Sequence, residues 1–189
     1  MPLFAIVLSG KQDAFTKIMR IPMLVWVFAA LIPAQATTLR RASLDDLIQT
    51  STGIVRARVV GSFSASQGPL NYTHYTIQVL DCWKGPSAVR IDVQVPDAAG
   101  APVFSTGFQY VFFLWTGPSG ANHLLGLSQG ALDVITDAAG NTIVVRQPTE
   151  ALVLDPGTGA AGSQDPMQMK LSDFATRVSS ALMAHSNSK

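Results

Sequence analysis

The chain opens on an unbroken apolar run, continues in a two-residue alternation and closes on a helical period. The run is I-P-M-L-V-W-V-F-A-A-L-I-P-A, Ile21 to Ala34, without one charge. Ser43-Leu44-Asp45-Asp46 then predicts a helix start, because Ser43 can cap and the two carboxylates suit the positive helix end. Leu44, Leu47 and Ile48 give that helix one apolar stripe, and Gly53 ends it. From Ile54 to Phe63 the period is two, with Val55, Ala57, Val59 and Gly61 on one face and Arg56 and Arg58 on the other. Ser64 to Pro69 reads as a turn-rich break. Asn71 to Leu80 alternates again, Tyr75, Ile77 and Val79 inward, and Lys84-Gly85-Pro86 closes it. Val89, Ile91, Val93 and Val95 alternate with Arg90, Asp92 and Gln94, the pattern of a half-buried strand.

An Ala/Gly/Pro loop, 96–107, leads to Tyr110–Trp115, whose Y-V-F-F-L-W has no alternation and predicts a strand buried on both faces. Leu124–Leu127 and Ala131–Thr136 read as short strands, the second turning through residues 137–140 into Asn141–Arg146. Residues 155–168 have linker composition. Beyond them Leu171, Phe174, Ala175, Val178 and Leu182 recur at helical spacing, and that stripe needs a sheet to cover. Strands this short and frequent suit a sandwich or small barrel. The expectation is a mainly β fold: a single Greek-key barrel over 37–154, a short N-terminal helix, a linker at 155–168, and a C-terminal helix over 169–184 packed on the barrel. A body of that size buries roughly 68–70% of its unfolded surface, enough for one core.

The opening run changes the picture of where the protein works. Arg20 precedes it and Ala34-Gln35-Ala36 follows it, which are the basic flank and A-x-A site of a secretory signal peptide. The run is shorter than the roughly 20 apolar residues that cross about 30 Å of hydrocarbon, and Pro22 and Pro33 bracket it. Residues 1–36 therefore read as a leader cleaved after Ala36, leaving no stable membrane span and a mature start at Thr37. Pro2 to Leu8 is already apolar ahead of this run, which points to Met19 as the first residue of the leader. The chain reads as exported, periplasmic or extracellular.

Charge excludes one class of partner. Of 13 Lys and Arg against 12 Asp and Glu, the leader holds Lys11, Lys17 and Arg20 against Asp13, so the body is nearly neutral. With no basic cluster it has no electrostatic footprint for nucleic acid. One cysteine, Cys82, excludes an intrachain disulfide and a Cys-based zinc cluster, and His74, His123 and His185 are scattered. Cys82 and His74 fall on one predicted strand, roughly 26 Å apart at about 3.3 Å per residue, so they cannot form a nucleophile–base pair. Gly157 to Gly162 spells G-x-G-x-x-G, but Pro156 and Pro166 crowd it and no βαβ unit surrounds it. There is no G-x-S-x-G elbow and no S-x-x-K, and Glu150 is the one glutamate of the body. The chain reads as non-catalytic and without a cofactor. Tyr72, Tyr75, Trp83, Phe104, Phe108, Tyr110 and Trp115 gather on or beside strands; some could form a binding face, but for each the reading is core and strand-edge packing. Asn71-Tyr72-Thr73 is a glycosylation sequon, relevant only in a eukaryotic host.

Four segments carry a resemblance: I-V-R-A-R-V-V at 54–60, Y-T-I-Q-V-L-D-C-W-K-G at 75–85, Y-V-F-F-L at 110–114 and G-L-S-Q-G at 126–130. Together they resemble uncharacterised bacterial exported proteins whose barrel is similar to that of tissue inhibitors of metalloproteinases and netrin-type modules. The likeness spans residues 43–150 and the C-terminal helix, and it implies an oligonucleotide/oligosaccharide-binding (OB) type of barrel and invites an inhibitor role. Inhibitors of that family chelate the protease zinc through an N-terminal cysteine and are locked by several disulfides. Here the start is Thr37 and Cys82 has no partner, so no inhibitory residue carries over. The reading is a non-catalytic exported protein-binding module whose partner is an exported protein such as a protease. Its expected surface is Thr37, Arg56, Arg58 and Trp83, with the 96–107 loop. The alternatives are a metalloprotease inhibitor-like protein and a small exported hydrolase with a Ser or Cys site assembled in space.

Overall fold

The computed structural model describes residues 38–98, 100–146, 152–155, 157–162 and 166–186. The chain runs β1 (Thr38–Arg40), α1 (Leu44–Thr50), β2 (Gly53–Gln67), β3 (Leu70–Lys84), β4 (Arg90–Pro96), β5 (Gln109–Thr116) and β6 (Asn122–Leu124). A 3₁₀ turn at Leu127–Gly130 follows, then β7 (Ala131–Thr136), β8 (Thr142–Arg146), β9 (Leu152–Leu154), β10 (Ala161–Gly162), β11 (Met167–Lys170) and α2 (Leu171–Ser186). The fold is mainly β. Eight strands join in the order β11-β8-β7-β5-β2-β3-β4-β6, and β5 also bonds to β6, so the path β5-β2-β3-β4-β6 returns to its start. In that circuit β4 and β6 are parallel and the other neighbours antiparallel. β1, β9 and β10 form a separate three-stranded sheet.

Two cores flank this sheet. Inside the circuit lie Val55, Ala57 and Val59 of β2, Tyr75 and Ile77 of β3, Val93 and Val95 of β4, Tyr110, Phe112 and Leu114 of β5, and Leu124 of β6. The 96–107 loop sends Phe104 into this core, its ring 5.0 Å from Tyr75 and 4.9 Å from Tyr110. Backbone N–H groups of Phe104 and Ser105 donate to the Tyr75 and Tyr110 hydroxyls, which satisfies both buried phenols. The second core lies on the outer face. Ile54, Val111, Phe113, Leu132 and Val144 meet Leu44, Leu47 and Ile48 of α1 and Phe174 and Val178 of α2. β5 feeds both cores, and this is why Tyr110–Leu114 reads without alternation.

The helices are fixed at their ends. Ser43 Oγ accepts from Asp46 N–H at 3.1 Å while an Asp46 carboxylate oxygen accepts from Ser43 N–H at 3.0 Å, a reciprocal cap. These bonds hold the Asp46 carboxyl below the ordinary aspartate value. At the other end Lys84 Nζ donates to the Ile48 and Gln49 carbonyls at 2.7 and 3.0 Å, taking up two orphan acceptors of the last turn. Burial lowers the pKa of that ammonium. In G-L-S-Q-G, Gly126 and Leu127 both have positive φ, and a Cβ at Gly130 would land on the Leu125 carbonyl. The turn they make aims buried Gln129 so that its side chain donates to Arg40 O and accepts from Ala42 N–H, both 2.8 Å.

Several expectations change: the strand read at Leu124–Leu127 is Asn122–Leu124, with Leu127 opening the 3₁₀ turn, and Trp115 is 43% exposed rather than buried. β2 does not break at Ser64; it continues to Gln67, and only Gly68-Pro69 turn into β3. Gly61 does not share the face of Val55, Ala57 and Val59, because Val59 pairs with Ile77 and Gly61 with Thr76, leaving Val60 as an inserted residue. Val89 is 76% exposed and precedes β4 rather than pointing inward. Residues 155–168 are not all connector: Asp155 Oδ1 accepts from Gly157 N–H and Thr158 N–H to close a β9–β10 hairpin, and Met167 begins a strand beside β8. The glycine run Gly157–Gly162 lies in and beside that hairpin turn, a role its composition disguised as linker.

Candidate interaction surface

Cross-strand register sets five side chains in a row across the outside of the circuit. Phe63 of β2 pairs with His74 of β3, His74 with Gln94 of β4, Gln94 with His123 of β6, and His123 with Trp115 of β5. Their chain neighbours Tyr75, Val93, Val95, Leu124 and Leu114 point into the core, so strand alternation places the row on the opposite face. Aromatic rings hold both ends. Phe63 stacks on His74 with centroids 4.7 Å apart and planes at 15°, and Trp115 tilts against His123 at 5.7 Å. Tyr72 reaches His123 from the β3 side at 6.3 Å.

The middle of the row is polar and the ends are apolar. His74 and Gln94 are only 7% and 8% exposed, whereas Phe63 is 56% and Trp115 43% exposed. His74 Nδ1 lies 2.8 Å from Asp92 Oδ2, which orients the imidazole. Its Nε2 and the Gln94 side-chain oxygen are both buried without a hydrogen-bond partner among the described residues. Two large exposed rings thus stand on strands at either end of a buried polar centre.

The expected surface residues fall elsewhere. Arg56 is partly buried and ion-paired to Asp81 at 2.7 Å, while Arg58 is exposed between Gln78 and Gln109. The two arginines share a face, but one is engaged by a neighbour on β3. Trp83 packs edge-on against Phe174 of α2 at 5.3 Å and is partly buried against the outer core. Ala36 and Thr37 lie outside the described residues. Of the aromatic set, Tyr75, Phe104 and Tyr110 are core, whereas Tyr72, Phe108 and Trp115 keep exposed area. Cys82 is partly buried, its Sγ 3.5 Å from the Lys84 carbonyl, on the same strand as His74.

Sequence reasoning missed Phe63, Gln94 and His123 as members of one patch. The signal was present in S-F-S-A-S, a two-residue alternation, but serines made it look like a turn. His123 cannot be placed without knowing that β6 inserts between β4 and β5.

One residue along β5 and β6 from this row, Thr116 and Asn122 form a hydrogen-bond chain with Thr52, beside a cleft of about 230 Å³ that Lys84, Arg90 and Asp92 also line. Among the described residues no group of three His, Cys, Asp or Glu side chains is placed to hold a metal ion, and no helix is long and apolar enough to cross a membrane. No protein-family model matches the chain, and no curated protein matches it.

Proposed function

We propose that the chain is an exported, non-catalytic module that binds a protein partner through the Phe63–Trp115 row of a small OB-type barrel. The observation that carries the reading is the pair of exposed rings, Phe63 and Trp115, at the ends of one cross-strand row. Exposed aromatics held by strands lose little side-chain freedom on contact, which is why such residues concentrate binding energy. The barrel reading draws support from the circuit β2-β3-β4-β6-β5, with its one parallel pair, and from a core that fills the interior. Export follows from the apolar run and A-x-A site ahead of Thr37.

The test is capture of partners from the host's envelope and medium with the tagged protein, followed by the same capture with Phe63→Ser and Trp115→Ala together. A stoichiometric partner held by the native protein and lost by the double variant is the expected result. A partner retained by the double variant would place binding elsewhere, with Arg58 the next residue to change. Esterase, peptidase or glycosidase turnover that disappears in His123→Ala would overturn the non-catalytic reading.

A further inference from the structure

β5 accompanies β2 only from Gly53 to Arg58, and the loop before β5 takes over at Val59, whose N–H donates to Phe108 O and whose carbonyl accepts from Gly107 N–H. From Val60 to Gln67 no strand among the described residues bonds to that side of β2. Which residues face the open side follows from the ladder. Asn71 turns its carbonyl away from β2, to Asp97 N–H, so its partner Ser66 is a non-hydrogen-bonded position of the β2–β3 ladder. Alternation then gives Ser62, Ser64 and Ser66 as the residues whose N–H and C=O point outward. They form a row of donors and acceptors spaced for an extended chain.

Native edge strands are usually guarded by lysine, proline or a covering element. Here V-G-S-F-S-A-S-Q, 60–67, contains neither charge nor proline. We infer that this edge pairs antiparallel with the same edge of a second copy, about a two-fold axis at Ser64. That register sets Ser62 opposite the partner's Ser66 and Ser64 opposite itself, each pair exchanging both its backbone bonds. It sets Phe63, exposed on the outer face, beside the partner's Ala65, so a large side chain meets a small one twice by symmetry. Charge argues for self-pairing as well. An edge without charge offers a charged peptide no counter-ion to select it, while its own sequence meets itself with no like charges opposed. The contact is a short ribbon, so the dimer is weak and concentration-dependent.

Sedimentation velocity on the purified chain over roughly a hundredfold range of concentration reads the equilibrium. The expected result is a shift from monomer to dimer. In the native protein, amide exchange at Ser62, Ser64 and Ser66 slows with concentration while other exposed amides do not change. Ser64→Pro removes an outward donor and no bond to β3, so association weakens about tenfold or more with the monomer still folded. Ala65→Arg fills the space beside Phe63 with a charge and gives the same loss by a separate route. A chain that stays monomeric throughout overturns the inference. So does a dimer that survives both substitutions, or one whose exchange at these serines ignores concentration. Phe63 belongs to both surfaces, so Trp115→Ala alone separates them: partner capture lost there with the dimer unchanged belongs to the aromatic row and not to this edge.

Discussion

The β2–β3 hairpin has two halves built from the same two strands and put to opposite uses. In the lower half, Gly53–Val59 against Ile77–Lys84, β2 has β5 on its other side, and Val55, Ala57 and Val59 fill the core. In the upper half, Gly61–Gln67 against Leu70–Thr76, β2 has no second neighbour among the described residues, and serines occupy the face that valines occupied below. Val60 separates the two. Because strand side chains alternate, one inserted residue exchanges the faces, and Phe63 and Ala65 turn outward where a regular continuation would turn them in. One strand thereby serves a core and a surface, and the switch is a single residue long.

The largest expected effect contrasts the halves directly. Ile77 is fully buried, so Ile77→Ala should cost about 2–5 kcal/mol in denaturant unfolding. Phe63→Ala, a larger truncation in the upper half, should stay within about 0.5 kcal/mol because the ring is mostly in water. Similar losses for both at concentrations where the chain is monomeric would mean that the upper half is packed within one copy as the lower half is.

Much of the lower half was legible in the sequence, and little of the upper. Val-x-Ala-x-Val in β2, the alternation of β4 around Val93 and Val95, and the uninterrupted Tyr110–Leu114 report burial directly, since burial is what their periods encode. Ser43 and Asp46 announced their cap because capping is local. The bulge at Val60 was not legible, as nothing in V-V-G distinguishes an inserted residue from a paired one. The aromatic row was hidden for a different reason. Gln94 and His123 become neighbours only through the parallel pairing of β4 with β6, a long-range fact that no local pattern carries. The contact that partly buries Trp83 was hidden too, because Phe174 lies in a helix far along the chain.

The base of the lower half supports a helix as well as a core, and Lys84 measures that link. Lys84→Met keeps the apolar stem and removes both bonds to the Ile48 and Gln49 carbonyls, so a loss of about 1–2 kcal/mol is expected in thermal or denaturant melts. The cost should be felt first in α1, as faster amide exchange over its last turn. Gln94, beside the upper half, should respond with the opposite sign. Its buried side-chain oxygen has no partner among the described residues, so Gln94→Leu is expected to be neutral or to stabilise by up to about 1 kcal/mol. A substantial loss would show that this oxygen is bonded in solution, which would make the polar centre of the row a structural feature.

The smallest effect is a pH dependence outside both halves, and it fixes the baseline against which they are compared. Hydrogen bonds from Ser43 hold the Asp46 carboxyl below its ordinary 3.8. A depressed carboxyl contributes its stabilisation fully above the unfolded value and loses it as pH falls through the folded one. Unfolding free energy should therefore decline as acid is added below about pH 4, and Asp46→Asn should remove part of that slope. The carboxylate is largely solvated, so its share is expected to be several tenths of a kcal/mol at neutral pH, the lower end of capping effects. Asp137 and Asp155 are lowered in the same direction by turn hydrogen bonds from Asn141 and from Thr158, so each contributes to the slope with the same sign. Denaturant melts at pH 7 and pH 3 on the native protein and on the three Asp→Asn variants separate the shares. An acid response that none of the three reduces would overturn this assignment of the slope to turn and cap hydrogen bonds.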